Sequence, residues 1–223
     1  MKLAACTKTY GKSTVLRCPE LTFEPGHICA VVGPNGSGKS TYAGLAAGAI
    51  VPDGGGRVAG SGITVRFMPQ KSYPFRMTVE QNIRLFGGDK KRAEELMETL
   101  RLTDLRRRRA GALSGGETAK MSLARVLMKP CDLLILDEPT AAMDMESAVA
   151  AEALIDSYRK ECGCVVLFVT HDLTQARRMT DDALFFYRGE LWEKGPTRSI
   201  LYDPEKAETR RFLDFYGGSA ERR

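Results

Sequence analysis

Three mainly apolar runs mark the chain, at Ile28–Val32, 132–136 and Val165–Val169. Because polar residues do not alternate within them, each run predicts a strand that is buried on both faces. Segments of helical periodicity separate the runs, for example 146–160. Strands that alternate with helices are typical of a parallel sheet covered on both faces, so the pattern predicts an α/β fold with a mainly parallel sheet.

Shorter elements are expected around this core. Residues 1–32 predict short strands separated by turns, and the tail, 197–216, predicts two short helices. Further short strands are predicted at 57–60, 63–68, 183–187 and 191–192. The first two are expected to close an N-terminal antiparallel β layer, and the last two to form edge strands.

Residues 71–112 lack a strand pattern and predict a small helical insert. Thr78 is expected to cap a helix, and 90–101 predicts an amphipathic helix. Its apolar side consists of Ala93, Leu96, Met97 and Leu100. Together with the helix that follows Ser114, the insert predicts a helical subdomain over about 71–128, within a single domain of 1–223.

Composition limits the classes of function. The 223 residues carry a net charge of +5, which suits a protein that handles anionic nucleotides but does not indicate a nucleic-acid partner. The basic run Arg106 to Arg109 favours a solvated helix end over an anion or lipid-surface patch.

The cysteines and the apolar segments bear on the cell compartment. Six scattered cysteines and two histidines predict neither a zinc site nor a disulfide framework, and a reducing cytosol fits them. No apolar segment precedes Cys6, so we expect no signal peptide. The apolar runs are too short to span a membrane, so any membrane role is expected to act through a partner.

The clearest candidate chemistry follows the first apolar run. The eight residues fit G-x-x-x-x-G-K-[ST] and are Gly33, Pro34, Asn35, Gly36, Ser37, Gly38, Lys39 and Ser40. Glycines let backbone N–H groups surround a phosphate, and the helix that follows directs its positive end at the same anion. Lys39 is expected to reach the outer phosphates, and Ser40 to hold Mg²⁺.

Further polar residues follow the other two runs. Asp137 and Glu138 come after the second run, and Thr170 and His171 after the third. In an open parallel sheet, ligands gather at the carboxyl ends of the strands. Carboxylates buried there need a cation or a hydrogen bond, and Mg²⁺ with nucleotide phosphates supplies that cation.

Taken in order, these motifs resemble the nucleotide-binding subunit of an ATP-binding cassette (ABC) transporter, a P-loop NTPase, over almost the whole chain. The resemblance covers the Walker A loop, which is Gly33 to Ser40 followed by Thr41, and the Walker B aspartate, which is Asp137. It also covers Ser114, Gly115, Gly116 and Glu117, which match the signature sequence usually written with Gln in its last place. The remaining matches are Tyr10 (base stacking), Gln70 (Q-loop), Glu138 (catalytic carboxylate), Asp144 (D-loop) and His171 (switch histidine).

The resemblance implies ATP hydrolysis with Mg²⁺. It implies that Glu138 activates the attacking water, that His171 contacts the γ-phosphate, and that Lys39 stabilises the transferred phosphoryl group. Ser40, Gln70 and Asp137 are implied to arrange the metal. From the residues alone, Tyr10 is equally compatible with an exposed turn, and Gln70 with a surface loop.

The resemblance also implies partners. These are a membrane-spanning permease, a substrate-binding protein and a second copy of the chain, whose signature segment would close an ATP sandwich. The chain is then expected to be cytoplasmic and peripheral on the inner face of the membrane. The compact length and the ending 212–217 favour import of a small anion or an amino acid. A groove lined by Tyr73, Pro74, Phe75 and Met77 is expected to dock the permease, although these side chains could equally pack the insert.

Other classes remain open on the sequence. A soluble ABC ATPase of a cytosolic assembly complex would carry the same motifs. A P-loop kinase has no use for the signature, and a non-catalytic ATP switch has no need of Glu138 and His171. The stretch between Lys39 and Ser114 is too short for the coiled coil of a DNA-maintenance ABC ATPase. Thr118, Ala119 and Lys120 depart from the usual Gln-Gln-Arg after the signature.

Overall fold

A computed structural model of the protein describes residues 1–216. The last residue of the 212–217 ending and the final part of the predicted 1–223 domain lie outside this range. The strands are β1 (Lys2–Leu3), β2 (Cys6–Tyr10), β3 (Ser13–Cys18), β4 (Leu21–Thr22), β5 (Ile28–Val32), β6 (Val65–Met68), β7 (Leu133–Asp137), β8 (Val165–Val169), β9 (Asp182–Tyr187) and β10 (Glu190–Pro196). The helices are α1 (Lys39–Ala46), α2 (Val79–Ile83), α3 (Lys90–Thr99), α4 (Gly115–Val126), α5 (Met145–Cys162), α6 (Leu173–Met179), α7 (Thr197–Tyr202) and α8 (Ala207–Tyr216).

Eight strands form one mixed sheet in the order β2-β3-β10-β9-β5-β8-β7-β6. The pairs from β9 to β6 are all parallel, whereas β2 with β3 and β9 with β10 are antiparallel. β1 and β4 form a separate antiparallel pair. The predicted α/β fold, with a mainly parallel sheet and an N-terminal antiparallel layer, is confirmed.

Helices cover both faces of this sheet. Every residue of β5, β7 and β8 is buried, as their uninterrupted apolar runs predict. Successive residues of β7 enter different cores: Leu134 and Leu136 pack with α3, α4 and α5, while Leu133 and Ile135 pack with α1. The central strands are therefore held rigidly from two sides, and the loops at their carboxyl ends inherit that rigidity.

Two strand predictions are wrong. The 63–68 segment does not close the N-terminal layer: β6 pairs in parallel with β7, while 57–60 contributes only a bridge between Leu3 and Ala59. The 183–187 and 191–192 strands are not edges, because β9 lies between β5 and β10, and β10 lies between β9 and β3. A short apolar run predicts a strand but not its neighbours, and only tertiary pairing decides them.

The helical predictions agree better with the structure. Thr78 caps α2 in a capping box with Gln81, and the apolar side predicted for 90–101 is buried. The tail forms α7 and α8 as expected. The boundaries of a 71–128 helical subdomain stay a prediction. None of the helices within residues 1–216 is both long and apolar enough to cross a membrane.

One buried amide ties the segment after Gln70 to α2. Asn82 is fully buried, and its Oδ1 accepts a hydrogen bond from the Phe75 N–H at 2.9 Å. Its Nδ2 lies 3.1 Å from the Phe75 carbonyl oxygen and 3.0 Å from that of Thr78. These contacts pair the Phe75 N–H and add a second donor to the carbonyl oxygens of Phe75 and Thr78, so they hold the segment in one conformation.

We predict that Asn82→Leu lowers the free energy of unfolding by about 2 kcal/mol, because it removes the buried amide and leaves the Phe75 N–H without its acceptor. Denaturant unfolding of the purified chain measures the change. The control is Arg84→Ala on the exposed side of α2, which should stay within about 0.5 kcal/mol of the parent. Equal losses in the two variants would contradict the prediction.

Candidate functional site

The loop between β5 and α1 forms a cradle around the Lys39 side chain. Lys39 is 7% exposed, and its ammonium group donates to the carbonyl oxygens of Gly33 at 2.8 Å and Pro34 at 2.9 Å. Burial lowers the pKa of Lys39, and the carboxylates of Glu138 and Asp137 oppose that shift. The loop therefore holds a positive charge directly at the start of α1, where an anion binds best.

Two glycines of the loop are required by close packing. A Cβ atom on Gly33 would lie 2.1 Å from the Phe186 carbonyl oxygen, and φ there is +144°. A Cβ atom on Gly38, whose φ is +100°, would lie 2.8 Å from Leu16. Gly36 also has a positive φ, of +76°, but faces open space. We call the loop from Gly33 to Ser40 the phosphate loop. Because β9, which carries Phe186, is an interior strand, it restricts the side chains that this loop can carry.

The exposure of the loop's remaining residues differs along its length. Asn35, Gly36 and Ser40 are exposed, Pro34 and Thr41 are half-buried, and Ser37 is buried. The Ser37 N–H donates to the Pro34 carbonyl oxygen at 3.2 Å. The loop thus presents its middle and its final hydroxyl to solvent while its ends are anchored.

Asp137 ends β7 beside this cradle and lacks a full set of partners. It is 3% exposed, and its Oδ1 has no hydrogen-bond partner among the described residues. Burial raises the pKa of this carboxyl group, whereas a hydrogen bond with Ser40 and the charge of Lys39 lower it. An orphaned carboxylate oxygen beside an exposed hydroxyl is a donor set that suits Mg²⁺. The residues present therefore fit the implied metal.

Glu138 lies between two side chains that come from distant parts of the sequence. Gln70 Nε2 donates to Oε2 of Glu138 at 3.0 Å, and His171 Nδ1 lies 3.1 Å from its Oε1. The carboxylate is 17% exposed. The Glu138 N–H donates to the Val169 carbonyl oxygen at 2.9 Å. The structure therefore brings Gln70, Glu138 and His171 together, as expected for residues at one edge of the sheet.

The backbone of Glu138 is held in the left-handed region, with φ at +52°. For a residue with a Cβ atom this conformation costs about 1–2 kcal/mol. The hydrogen bond to Val169 and the burial of β7 keep it there. Such strain directs the carboxylate out of the sheet edge towards Gln70 and His171, and it is typical of functional positions.

The signature segment is organised by its own helix. Ser114 Oγ accepts from the Glu117 N–H at 3.2 Å, and the Glu117 carboxylate accepts from the Ser114 N–H at 2.7 Å. This capping box lowers the pKa of Glu117. A Cβ atom on Gly116 would lie 2.8 Å from the Ala142 carbonyl oxygen, so this glycine is needed for packing against the segment before Asp144. Gly115, by contrast, faces open space.

The signature and the phosphate loop are not joined within this chain. The hydrogen bonds of Ser114 and Glu117 among the described residues stay inside α4. Asp144 likewise caps its own helix, α5, through the N–H of Ser147 at 2.9 Å. Tyr10 is 56% exposed, with the Lys8 ammonium 5.4 Å from the ring centroid, and this environment leaves both interpretations of Tyr10 open.

Sequence reasoning missed a polar cluster behind Glu138 and His171, which is buried except at the exposed Arg178. Its members are Thr140, Glu152, Thr170, Gln175 and Arg178, and they border a cavity of about 360 Å³ that Glu138 and His171 also line. We call this set the Gln175 cluster. A glutamine in a short helix after a cap looks like a solvated residue, so the sequence carries no strong signal for it.

Comparisons with known proteins agree with the motifs. The ABC transporter family profile matches residues 16–141. The tungstate uptake system ATP-binding protein TupC of Peptoclostridium acidaminophilum is 38% identical over 203 residues, which are 83% of this chain and 94% of that protein. The zinc import ATP-binding protein ZnuC of Yersinia pestis bv. Antiqua is 39% identical over 181 residues, which are 79% of this chain and 71% of that protein.

Solved structures share the fold. An ATP-binding subunit of an ABC transporter superposes with a TM-score of 0.78 at 22% identity, covering 89% of this chain and 90% of that one. A dimeric ATP-binding cassette in a post-hydrolysis state with ADP and Pi gives a TM-score of 0.76 at 24% identity, covering 88% and 98%. At these identities the likeness concerns the fold alone.

We predict that Gly33→Ala lowers the free energy of unfolding by about 3 kcal/mol, since the new methyl group would overlap the Phe186 carbonyl oxygen. Gly36→Ala is the matched control in the same loop. It keeps a positive φ without a clash and should cost about 1 kcal/mol. Thermal or denaturant unfolding distinguishes the two variants, and similar losses would show that backbone conformation alone requires Gly33.

Proposed function

The chain belongs to the ABC transporter family and is an ATPase, and from this premise we propose that it energises solute uptake through a separate membrane permease. The placement of Glu138 is the observation that supports its proposed role in ATP hydrolysis. Its carboxylate lies within hydrogen-bond distance of both Gln70 and His171. It lies at the edge of the sheet where the phosphate loop follows β5. A carboxylate fixed in this way can orient a water molecule for attack on a phosphoryl group.

We assign the remaining roles from the contacts of each side chain. Lys39 exchanges the two carbonyl oxygens that now hold it for phosphate oxygens, so its charge stabilises the transferred group. His171 holds the Glu138 carboxylate from one side and faces the γ-phosphate. Ser40 and Asp137 would hold Mg²⁺, with Gln70 completing its surroundings. The metal, when bound, neutralises charge on the β- and γ-phosphate oxygens.

The phosphate-loop residues Gly33, Pro34, Asn35, Gly36, Ser37, Gly38, Lys39, Ser40 and Thr41 would bind the phosphates, and Tyr10 the base. We propose that the other side of each ATP is closed by Ser114, Gly115, Gly116 and Glu117 of a second copy. The open space at Gly115 supports this proposal, because the first turn of α4 is free to approach an anion. Two copies would then form a head-to-tail ATP sandwich with two composite sites.

Exposed aromatic residues support a protein partner. Tyr73 is 74% exposed and Phe75 is 47% exposed, on the segment that Asn82 fixes just after Gln70. Apolar side chains grouped at a surface mark an interaction site. We propose that these residues dock the permease, which would place the chain on the cytoplasmic face of the membrane and couple docking to Gln70.

The cargo is proposed from the relatives. TupC, by its name, serves tungstate uptake, and the matched region is nearly the whole of that protein. ZnuC serves zinc import. We propose import of a small solute, with an anion favoured over an amino acid because of TupC, and a substrate-binding protein that delivers it.

We predict that Glu138→Gln slows ATP hydrolysis by roughly 10²–10⁴-fold, because the amide cannot accept a proton from the attacking water. ATP binding should persist. Phosphate release measures hydrolysis, and nucleotide binding is measured on the same preparation. Glu161→Gln, an exposed carboxylate on α5, is the control and should hydrolyse ATP at the parent rate. Hydrolysis at the parent rate by Glu138→Gln would contradict the assignment of Glu138 as the catalytic carboxylate.

The same variant tests the composite site. Glu138→Gln should form a dimer with ATP, seen by light scattering, because the nucleotide stays in place. Glu138→Gln/Gly115→Arg should bind ATP but stay monomeric, since a long side chain would fill the space proposed for the partner's phosphates. A dimer of the double variant that matches the single variant would contradict the signature interface.

Isolation of the chain from membranes tests the transporter assignment. An affinity-tagged chain should recover an integral membrane protein, and Tyr73→Ser/Phe75→Ser should lower that recovery while ATPase activity is retained. Tyr202→Ser, an exposed aromatic on α7, is the control. If active chain recovers no membrane protein, a soluble ABC ATPase of a cytosolic assembly complex is the better assignment.

A further inference from the structure

The Gln175 cluster connects the two turns that carry Glu138 and His171. Thr140 lies two residues after Glu138, and Thr170 lies immediately before His171. Gln175 of α6 is 5% exposed and contacts both threonines. Its third contact is Glu152 on α5. One side chain therefore joins the ends of β7 and β8 to two helices.

The carboxamide of Gln175 uses its hydrogen-bonding groups fully. Thr170 Oγ1 donates to Gln175 Oε1 at 3.0 Å. Gln175 Nε2 donates to Thr140 Oγ1 at 2.8 Å and to Glu152 Oε1 at 2.8 Å. An amide has two N–H donors, and both find acceptors here. The opposite amide orientation would place Oε1 against the Glu152 carboxylate, which is repulsive, so the chemistry supports one orientation.

The partners of Gln175 are themselves held. The Asp172 N–H donates to Thr170 Oγ1 at 3.0 Å, and the Gln175 N–H donates to Asp172 Oδ1 at 3.0 Å. Arg178 donates to both Glu152 oxygens, at 2.6 Å and 2.8 Å from its Nη2. Thr140, Glu152, Thr170 and Gln175 are each less than 9% exposed. Buried networks with every group satisfied are rigid, and loss of one member leaves the others unpaired.

We propose that Gln175 is a positioning residue for ATP hydrolysis, which sets the separation of Glu138 and His171 by bridging Thr140 and Thr170. It acts from beneath the site and does not touch the reacting atoms. The 3.1 Å distance between His171 Nδ1 and Glu138 Oε1 depends on the relative position of the two turns. The inference rests on the roles proposed for Glu138 and His171.

The side-chain chemistry distinguishes the substitutions. Gln175→Met keeps the length and apolar stem but removes all three hydrogen bonds. Gln175→Glu removes the two donors and places a second carboxylate against Glu152. Thr170→Val removes the hydroxyl with little change in volume, whereas Thr170→Ser retains it. The inference therefore requires that function follows the hydrogen bonds and not the volume of the side chains.

The test measures steady-state ATP hydrolysis and thermal unfolding of the purified full chain. We expect Gln175→Met, Gln175→Glu and Thr170→Val to lower kcat by about 10- to 100-fold, since a displacement of about 1 Å has that effect. KM for ATP should stay within about twofold, because the phosphate loop is untouched. Thr170→Ser should retain the parent rate. Gln175→Met/Thr170→Val should lose less than the product of the two single losses, because both changes remove the bond between Thr170 Oγ1 and Gln175 Oε1.

Thr209→Val is the matched control for a loss of stability alone. Thr209 is fully buried, and its hydroxyl donates to Glu193 in a polar cluster of β10 and α8. It should lower the unfolding midpoint and leave kcat near the parent value. A parent kcat in Gln175→Met, or an equal loss of kcat in Thr209→Val, would overturn the inference. If Gln175→Met does not fold, a parent kcat in Thr170→Val would overturn the inference, because that variant removes the bond to Gln175 as well as the bond from the Asp172 N–H.

Glu138→Gln is measured in the same assay to separate the catalytic role proposed for Glu138 from the positioning role proposed for Gln175. If Glu138→Gln keeps the parent rate, the catalytic roles proposed above fail, and the positioning role fails with them. If Glu138→Gln is slow while Gln175→Met and Thr170→Val are not, the positioning inference alone fails.

Discussion

Parallel pairing of β5, β8 and β7 is the constraint on which the site depends. Val31 pairs with Val169, and Val169 pairs with Asp137, so the carboxyl ends of three strands meet in register at one edge. The phosphate loop, the pair Asp137 and Glu138, and the segment with His171 lie at those ends. A slip of one residue would turn every side chain to the opposite face. Because the two faces of β7 pack into different cores, such a slip would disrupt the packing of both, and the strand ends are therefore held in place.

The site retains several features that are unfavourable without a ligand. Glu138 has a strained backbone, the buried Oδ1 of Asp137 has no hydrogen-bond partner within residues 1–216, and the Lys39 ammonium donates to two carbonyl oxygens of its own loop. Each is compensated by the packing around it, such as the fully buried strands β5 and β7. A nucleotide with a cation would relieve the last two at once. This shared need accounts for the placement of Lys39 and Asp137 side by side.

The signature segment and the phosphate loop share no hydrogen bond among the described residues. The capping box completes the start of α4 from within, yet the open space at Gly115 faces no group of the phosphate loop. Packing of Gly116 on the Ala142 carbonyl links that helix start to the turn between Glu138 and Asp144. The Gln175 cluster connects the same turn to His171. Contacts within the chain therefore connect the start of α4 to His171 through the turn between Glu138 and Asp144.

Local sequence determined much of this protein. Uninterrupted apolar runs predicted β5, β7 and β8, the cap residue Thr78 predicted α2, and the spacing of the glycines with Lys39 and Ser40 predicted the cradle. These features depend on neighbours in the chain, so a pattern can reveal them. Tertiary structure alone decided that β6 pairs with β7 and that β9 is interior, because a short apolar run does not specify its partner. It alone brought Gln70 and His171 to Glu138 and placed Gln175 beneath them, since hydrogen bonds between distant residues leave no periodic trace in the sequence.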